Sequence, residues 1–247
     1  MLRKRLIVVL TLNDGVLFRT RNFVPDYRYT LNFVDTWLVD EVVALDITRP
    51  GQGDRTNFYD AVEQLASSCF VPLAVGGGVT SLEEVRRLMS AGADKVVVNS
   101  EAYRHPDFIG EIASSYGSQC AVVSIDAKDV EGNYRVFTDF GRNDTGMNPA
   151  EWACQCESLG AGEIIVSSID RDGMLEGYDN KLNASVAAEI GIPLLVCGGA
   201  GAWKHFSDGF KKGGADAVCT TNIYHFTDSS IKAAKTFLAR KNIPIRA

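Results

Sequence analysis

A βα unit that occurs twice, about half the chain apart, is the feature that most constrains the fold. The first copy starts at Pro72 and reads PLAVGGGV, an amphipathic segment, GADK and VVVNS. The second starts at Pro193 and reads PLLVCGGAG, another amphipathic segment, GADA and VCTTN. Each copy has the pattern of a βαβ unit. Gly214 follows Gly92 by 122 residues in a chain of 247, which predicts a duplicated half-barrel.

The rest of the chain continues this alternation. Eight apolar, β-branched runs predict strands at 6–11, 41–46, 71–75, 95–99, 120–126, 163–168, 194–197 and 217–221. Helical patterns follow them at 29–38, 57–67, 81–92, 107–115, 149–160, 182–191, 203–213 and 228–241. Strict alternation over eight units predicts an α/β chain with one domain, a (β/α)8 TIM barrel over residues 1–247.

Composition excludes several function classes. The net charge of −6 and the lack of basic runs argue against a nucleic-acid partner. No apolar run reaches the roughly 20 residues of a membrane span, and the start has no small-residue cleavage site, so we predict a cytoplasmic protein without membrane contact. The six cysteines lack CxxC spacing and the three histidines lack HExxH spacing, which predicts neither metal nor cofactor.

The carboxyl ends of the strands carry two glycine clusters, at residues 76–78 and 198–199. Glycines there leave backbone N–H groups open to an anion beside the next helix. One such loop would be only a tight turn, but two in register predict a substrate with a phosphate at each end. Asp46 and Ser167 also lie at this face of a barrel. For Asp46, a structural role and a substrate-facing role stay open.

Asp126 ends the run VVSID, where a carboxylate could act as general base or acid. Thr11 ends the matching run VVLT in the first half. A neutral hydroxyl cannot do acid–base work near pH 7. Asp172, in SIDRDG, could orient a ligand or cap the next element, and both readings stay open.

Four charges lie at the opposite, amino-terminal ends of the strands: Arg5, Glu41, Lys95 and Glu163. From the residues alone, four solvated charges is the preferred interpretation. The alternative is a ring of two cations and two anions that closes the barrel axis by mutual pairing, because unpaired charge there would be costly.

Motifs along essentially the whole chain resemble the cyclase subunit of imidazole glycerol phosphate synthase: MLRKRL, LDIT, VGGGV, GADKVVVNS, YGSQCAVVSIDAK, GAGEIIVSSIDRDG, GYD, CGGAG and IYHF. The resemblance implies a lyase that receives ammonia from a glutaminase subunit docked on the amino-terminal face. It assigns the ammonia gate to Arg5, Glu41, Lys95 and Glu163. It assigns one phosphate site to Gly78, Asn99 and Ser100, and the other to Asp172, Gly173, Gly199, Thr221 and Asn222, to which the repeat adds Gly198.

The chain departs from that family around the substrate. The family uses two catalytic aspartates, at the ends of strands one and five; here the first is Thr11 and the second is Asp126. Arg19 stands where the loop after strand one normally has a Lys, and residues 24–31 lack the usual Gly-Asp-Pro. Thr221 and Asn222 stand where small residues are usual.

These departures resemble paralogues found beside surface-polysaccharide genes. The resemblance implies a subunit that works with a glutaminase and a sugar amidotransferase to convert an acetamido group to an acetamidino group, with Asp126 moving the proton. Two alternatives stay open. The chain could be a histidine-pathway cyclase that tolerates Thr11, or a scaffold that only activates its glutaminase.

Overall fold

The computed structural model describes residues 3–28, 39–221 and 231–246, and contains twelve strands in that part of the chain. In chain order they are β1 (Arg5–Asn13), β2 (Val16–Arg21), β3 (Val24–Arg28), β4 (Glu41–Asp46), β5 (Leu73–Gly76), β6 (Lys95–Val98), β7 (Ala121–Val130), β8 (Asn133–Thr138), β9 (Asn143–Asp144), β10 (Glu163–Ser168), β11 (Leu194–Cys197) and β12 (Ala217–Thr220). Eight of them, β1, β4, β5, β6, β7, β10, β11 and β12, pair in parallel in that order, and β12 returns to β1. The (β/α)8 barrel prediction is confirmed, and each predicted strand overlaps one of these eight.

The helices that follow the strands pack outside the barrel. They are α1 (Arg55–Ser68), α2 (Leu82–Ser90), α3 (Ser100–Arg104), α4 (Asp107–Tyr116), α5 (Pro149–Ser158), α6 (Asn180–Ala187), α7 (Trp203–Lys211) and a final helix at Ile231–Arg240. The helix predicted at 29–38 lies outside the described residues, as do residues 228–230 of the last one. Within the described segments, every helix is too short or too polar to cross a membrane.

Side chains alternate across each strand, so every second residue faces the barrel interior. The middle of the interior is an apolar cluster of Ile7, Val9, Val43, Ala74, Val97, Val122, Ile165, Leu195, Ala217 and Cys219. The same alternation brings Arg5, Glu41, Lys95 and Glu163 inward below this cluster. It brings Thr11, Asn99, Asp126 and Ser167 inward above it. The barrel therefore has charged, apolar and polar layers from its amino-terminal to its carboxyl-terminal end.

Two antiparallel hairpins extend the barrel, and the sequence patterns did not predict them. Strand β1 runs on into β2 and β3, and strand β7 runs on into β8 and β9. Their strands are short, two of them are interrupted by arginine, VLFRTR with two arginines and NYRVFT with one, and none forms a continuous apolar run. Thr11 pairs with Phe18 in the first hairpin, and Asp126 pairs with Phe137 in the second. This shared register confirms that Thr11 and Asp126 are equivalent positions of a duplicated half-barrel.

Candidate active site and charged ring

The four inward charges at the amino-terminal end form a closed ring. The Arg5 guanidinium lies 2.8 Å from a carboxylate oxygen of Glu41 and 2.8 Å from one of Glu163. The Lys95 ammonium also lies 2.8 Å from each of these carboxylates. Each cation thus joins both anions, and the charges pair with one another instead of being separately solvated. We call Arg5, Glu41, Lys95 and Glu163 the charged ring.

The charged ring is shielded from water, so losing one of its ion pairs would cost stability. Side-chain exposure runs from 2% for Glu41 to 15% for Lys95. Burial raises the pKa of Glu41, although Lys95 and Arg5 oppose that shift. Removing one partner from such a group leaves an uncompensated buried charge, which is more costly than losing a surface ion pair. The ring therefore closes the amino-terminal end of the barrel, and each of its charges needs the others as partners.

Asp126 is the carboxyl group among the inward-facing Thr11, Asn99, Asp126 and Ser167 of the polar layer. Its side chain is buried, and its Oδ2 accepts a hydrogen bond of 2.7 Å from Asn99 Nδ2. Burial raises the pKa of Asp126 to about 7, with hydrogen bonds from Asn99 and Ser124 opposing the shift and the charge of Asp172 adding to it. A carboxyl group with this pKa populates both protonation states at neutral pH, which suits proton transfer in either direction.

The raised pKa of Asp126 predicts a pH-dependent stability. The folded-state pKa of about 7 lies above the ordinary value of 3.8, so ionisation opposes folding. The protein therefore loses stability as the pH rises through that interval, by an amount on the order of a few kcal/mol. An Asp126→Asn variant lacks this loss. We expect its melting temperature to exceed that of the wild type increasingly between about pH 4 and pH 7 and then by a constant margin.

Thermal melts of both proteins across this pH range check the prediction. Asp129→Asn is the matched control, because Asp129 lies on the same strand but is exposed and caps a turn through Gly132 N. A gap between wild type and Asp126→Asn that does not change with pH would contradict the raised pKa. Groups with shifted pKa values that do not interact with Asp126, such as Asp46, are present in both proteins and cancel in the comparison, whereas the repulsion between Asp172 and Asp126 is part of the expected difference.

Thr11 does not replace the acid–base function of its symmetry mate. The side chain is buried, and its hydroxyl donates a hydrogen bond to the carbonyl oxygen of Phe18 in its own hairpin. The hydroxyl proton is therefore held by the backbone. Of the two equivalent positions, only Asp126 carries a group that can exchange a proton near neutral pH.

The first predicted phosphate site, formed by Gly78, Asn99 and Ser100, is called the first cradle here. It brings the Gly78 backbone next to the guanidinium of Arg55. The Asn99 amide donates to Asp126, and Ser100 Oγ accepts from Asp139 N at 3.0 Å, so both side chains have protein partners. Gly78 has φ of +63°, and a Cβ there would lie 2.8 Å from Nη1 of Arg55. This places the Arg55 guanidinium against the glycine loop.

Arg55 is a residue that the sequence analysis missed. It begins α1, which follows β4 after the loop 47–54, and contacts Asp46 at 3.3 Å and Glu84 at 3.1 Å. Its Nη2 is buried and has no hydrogen-bond partner among the described residues. A buried donor without a partner is uncommon and often marks a ligand position. A basic residue at the start of the helix that follows a strand ending in Asp46 was the available signal.

The second predicted phosphate site, which we call the second cradle, is a small pocket where β10, β11 and β12 end. Five of its six predicted residues line it: Asp172, Gly173, Gly198, Gly199 and Thr221. The sixth, Asn222, lies outside the described residues. Cys197 and Cys219 also line the pocket. The topology thus brings residues from three strand ends to one concave site, as expected for the carboxyl-terminal face of such a barrel.

The two glycine loops have the same backbone geometry. Gly77 and Gly198 have φ of +98° and +94°, which L residues rarely adopt. A Cβ at Gly77 would lie 2.1 Å from the carbonyl oxygen of Asp46, and one at Gly198 would lie 2.7 Å from that of Ser168. Each loop therefore needs glycine to approach the end of the preceding strand. Close approach explains the glycines without a ligand, and the second loop also lines a small pocket.

The remaining predicted residues fall at defined positions. Asp172 Oδ2 accepts from Phe23 N at 3.0 Å, so it joins the second half of the barrel to the first hairpin. Burial raises the pKa of Asp172, although the hydrogen bond from Phe23 N opposes this shift. Ser167 pairs with Asp126 in the strand register and faces the same layer. Arg19 pairs with Asp26 across the first hairpin at 2.8 Å.

Asp46 has structural partners on both carboxylate oxygens. Its Oδ1 accepts from Thr48 N at 2.9 Å, and its Oδ2 contacts Arg55. Burial raises the pKa of Asp46, with the Thr48 hydrogen bonds and Arg55 opposing the shift. These contacts support the structural role that the sequence left open, namely holding Arg55 beside the first cradle.

Comparison with known proteins shows one consistent similarity. Residues 7–230 match the family model described as histidine biosynthesis protein. The imidazole glycerol phosphate synthase subunit HisF of Chlorobium luteolum (strain DSM 273 / BCRC 81028 / 2530) is 42% identical over 251 residues, which cover all of this chain and all of that protein. The match covers the whole chain, and it confirms the resemblance found in the sequence motifs.

Proposed function

This chain belongs to the histidine biosynthesis protein family, and from that premise we propose that it is a HisF-type synthase subunit that conducts ammonia through its barrel to a phosphorylated acceptor. The charged ring is the observation that carries the proposal. Two cations and two anions meet there at four distances of 2.8 Å and close the end of the barrel opposite the candidate active site. Ammonia would come from a glutaminase subunit docked on that amino-terminal face, and we propose a cytoplasmic complex.

The layer above the ring suits ammonia better than ammonium. The interior there is lined by apolar side chains such as Ile7, Val43 and Ile165. Burying an unpaired cation in such surroundings is costly, whereas a small neutral amine crosses them more readily. In this proposal the charged ring forms the entrance, and the apolar layer keeps the nucleophile neutral until it reaches the polar layer.

Asp126 would serve the chemical step. An amine that adds to an electrophilic carbon must lose a proton, and the departing oxygen must gain one. The pKa of Asp126, raised by burial to about 7, allows one carboxyl group to accept the first proton and donate the second. Asn99, bonded to Oδ2, would hold the carboxyl plane in place.

We propose that the acceptor is the acetamido group of a surface-polysaccharide sugar carried on a nucleotide. The ammonia nitrogen would bond to the acetamido carbon and give up two protons, the C–O bond would break, and the oxygen would leave as water, giving an acetamidino group. A sugar amidotransferase would be the third component that activates that oxygen for departure. Thr11 supports an acceptor outside histidine biosynthesis, because the position equivalent to Asp126 lacks the carboxylate on which the family's ring closure depends. The nucleotide phosphates would use the cradles.

A second candidate, the cyclase reaction of histidine biosynthesis, is favoured by the full-length identity of 42% to HisF. It requires the chain to work with one catalytic carboxylate. Removing a general acid or base typically costs about 10²–10⁴-fold in rate, so this candidate predicts a slow cyclase.

The third possibility, a scaffold that only activates the glutaminase, predicts no chemistry at Asp126.

Thr11→Asp distinguishes these candidates. With excess ammonium and the open-chain bis-phosphorylated nucleotide of the histidine pathway, we expect no measurable turnover by the wild type. We expect the variant to gain cyclase activity by about 10²-fold or more, the usual contribution of an acid–base group. In the wild type, the Phe18 carbonyl oxygen accepts a hydrogen bond from Thr11. The same carbonyl oxygen repels a carboxylate at position 11, so the Asp side chain should turn toward the barrel interior.

Thr11→Asn is the matched control, since it has nearly the size of Asp without its charge. It should remain inactive with the same substrate. Efficient turnover by the wild type would assign the chain to histidine biosynthesis and overturn the sugar proposal. Mass spectrometry of the polysaccharide made by cells with and without the chain then tests the acetamidino product directly.

A further inference from the structure

Two cysteines lie side by side on the inner wall of the barrel. Cys197 ends β11, and Cys219 lies in the neighbouring strand β12. These strands pair in parallel, with Leu195 opposite Ala217, so the same register brings Cys197 opposite Cys219. Cys219 belongs to the inner apolar cluster, and Cys197 packs against it. Both sulfur atoms therefore occupy one layer on one side of the interior.

The strand register places the two cysteine backbones at a spacing that a disulfide can span. Both thiols are free, and the Cys219 side chain is hydrogen-bonded to that of Cys197. Neighbouring strands lie about 4.8 Å apart, which is within the roughly 4.4–6.8 Å between the Cα atoms of disulfide-bonded cysteines. Both residues also line the pocket of the second cradle, and Cys197 is the one of the two that is exposed to a small solute there.

The two thiols differ in environment. Cys219 is completely buried, whereas Cys197 is half-buried at the pocket wall. The hydrogen bond with Cys197 and burial together raise the pKa of Cys219, which makes it a poor first nucleophile. Cys197 is the thiol that an oxidant in the pocket meets first. Cys219 is then positioned to attack an oxidised Cys197.

We propose that Cys197 and Cys219 form an oxidisable dithiol, which a hydroperoxide converts to a disulfide, and that the disulfide weakens anion binding in the second cradle. The Cys197 sulfur attacks a peroxide oxygen, the O–O bond breaks and water or an alcohol leaves, giving a sulfenic acid. The Cys219 sulfur then attacks the Cys197 sulfur, the S–S bond forms and a second water leaves. The two thiols lose two electrons and two protons in all, and the hydroperoxide is reduced.

The chain connects this bond to the cradle. Cys197 immediately precedes Gly198 and Gly199, and Cys219 immediately precedes Thr220 and Thr221; all four of these neighbours line the same pocket. A disulfide holds its sulfur atoms about 2.05 Å apart, closer than two contacting thiols, and so draws the two segments together. The effect on anion binding rests on the proposed function, whereas disulfide formation does not.

The test treats the reduced full-length protein with hydrogen peroxide, alkylates the remaining thiols and maps the peptides. We expect a disulfide between Cys197 and Cys219 that dithiothreitol reverses. Titration with inorganic phosphate should then show about tenfold weaker binding after oxidation, the scale of one lost hydrogen bond to a charged group. Cys197→Ser and Cys219→Ser should each keep their own phosphate affinity after peroxide. Cys154→Ser, which removes an exposed thiol, should respond as the wild type does.

Three outcomes would overturn the inference in whole or in part. If Cys197 and Cys219 both remain alkylatable after peroxide has oxidised Cys154, the dithiol is not oxidisable. If the disulfide forms and phosphate affinity is unchanged, its proposed effect on the cradle is wrong. If the reduced protein does not bind phosphate, the cradle assignment and the effect on it both fail, and the peptide map still decides whether the disulfide forms.

Discussion

Asp126→Asn is expected to lower ammonia-dependent product formation by about 10²–10⁴-fold, the usual cost of removing a general acid or base. The amide nearly preserves the shape of the carboxyl group, and its oxygen can still accept from Asn99 Nδ2, as Asp126 Oδ2 does at 2.7 Å. It cannot exchange a proton near neutral pH. The loss should therefore appear in kcat with little change in acceptor binding.

The measurement uses the reconstituted complex with the acceptor on which the wild type, or Thr11→Asp, is active. Asp129→Asn is the matched control, because it makes the same chemical change three residues along β7 at an exposed position. It should retain wild-type turnover. If Asp126→Asn keeps full product formation and full stimulation of the glutaminase, the chain is a scaffold and the catalytic assignment is wrong.

Lys95→Ala is expected to impair glutamine-dependent turnover strongly while sparing turnover with added ammonium. The substitution removes both 2.8 Å contacts of the Lys95 ammonium, with Glu41 and with Glu163. The two buried carboxylates then share only Arg5, and breaking such a pair typically costs about 3–5 kcal/mol. Without Lys95 nothing bridges Glu41 and Glu163 on that side of the charged ring, where ammonia from the glutaminase would enter. Ammonium supplied from solution reaches the carboxyl-terminal face directly and does not pass the ring.

The ratio of glutamine-dependent to ammonium-dependent rates checks this prediction, with glutaminase activity recorded in parallel. Lys4→Ala is the control, because Lys4 also lies at the amino-terminal end but pairs with Asp216 at 3.0 Å instead of joining the ring. Should Lys95→Ala fail to fold, Lys95→Met combined with Glu163→Gln keeps the net ring charge balanced. An unchanged ratio in the folded variant would remove the ammonia-gate assignment.

The barrel was predictable because its signals are local. Eight apolar runs with intervening helical periods define the strands, and alternation on each strand decides which residues face inward. The glycine loops were also readable, since Gly77 and Gly198 lie at positive φ values where a side chain would meet the preceding strand. Helices and strands of this kind form wherever local pattern and burial agree.

The hairpins and α3 were not predictable in the same way. The strands β2, β3, β8 and β9 are short and rich in charge, so their pattern does not differ from that of a loop. They form because β1 and β7 continue past the barrel edge and offer an unpaired backbone. Helix α3 has only five residues, which is too few for a periodic signal.

The sequence by itself determined the barrel, its duplication, the family and the position of one candidate catalytic carboxylate, because each depends on residue type and spacing along the chain. Only the tertiary structure decided the pairing of the charged ring, the hydrogen bonds of Asp126 and Thr11, the position of Arg55 and the contact of Cys197 with Cys219. These contacts join residues far apart in the chain. Their energies depend on burial and on a partner's distance, and neither quantity exists until the eight strands close.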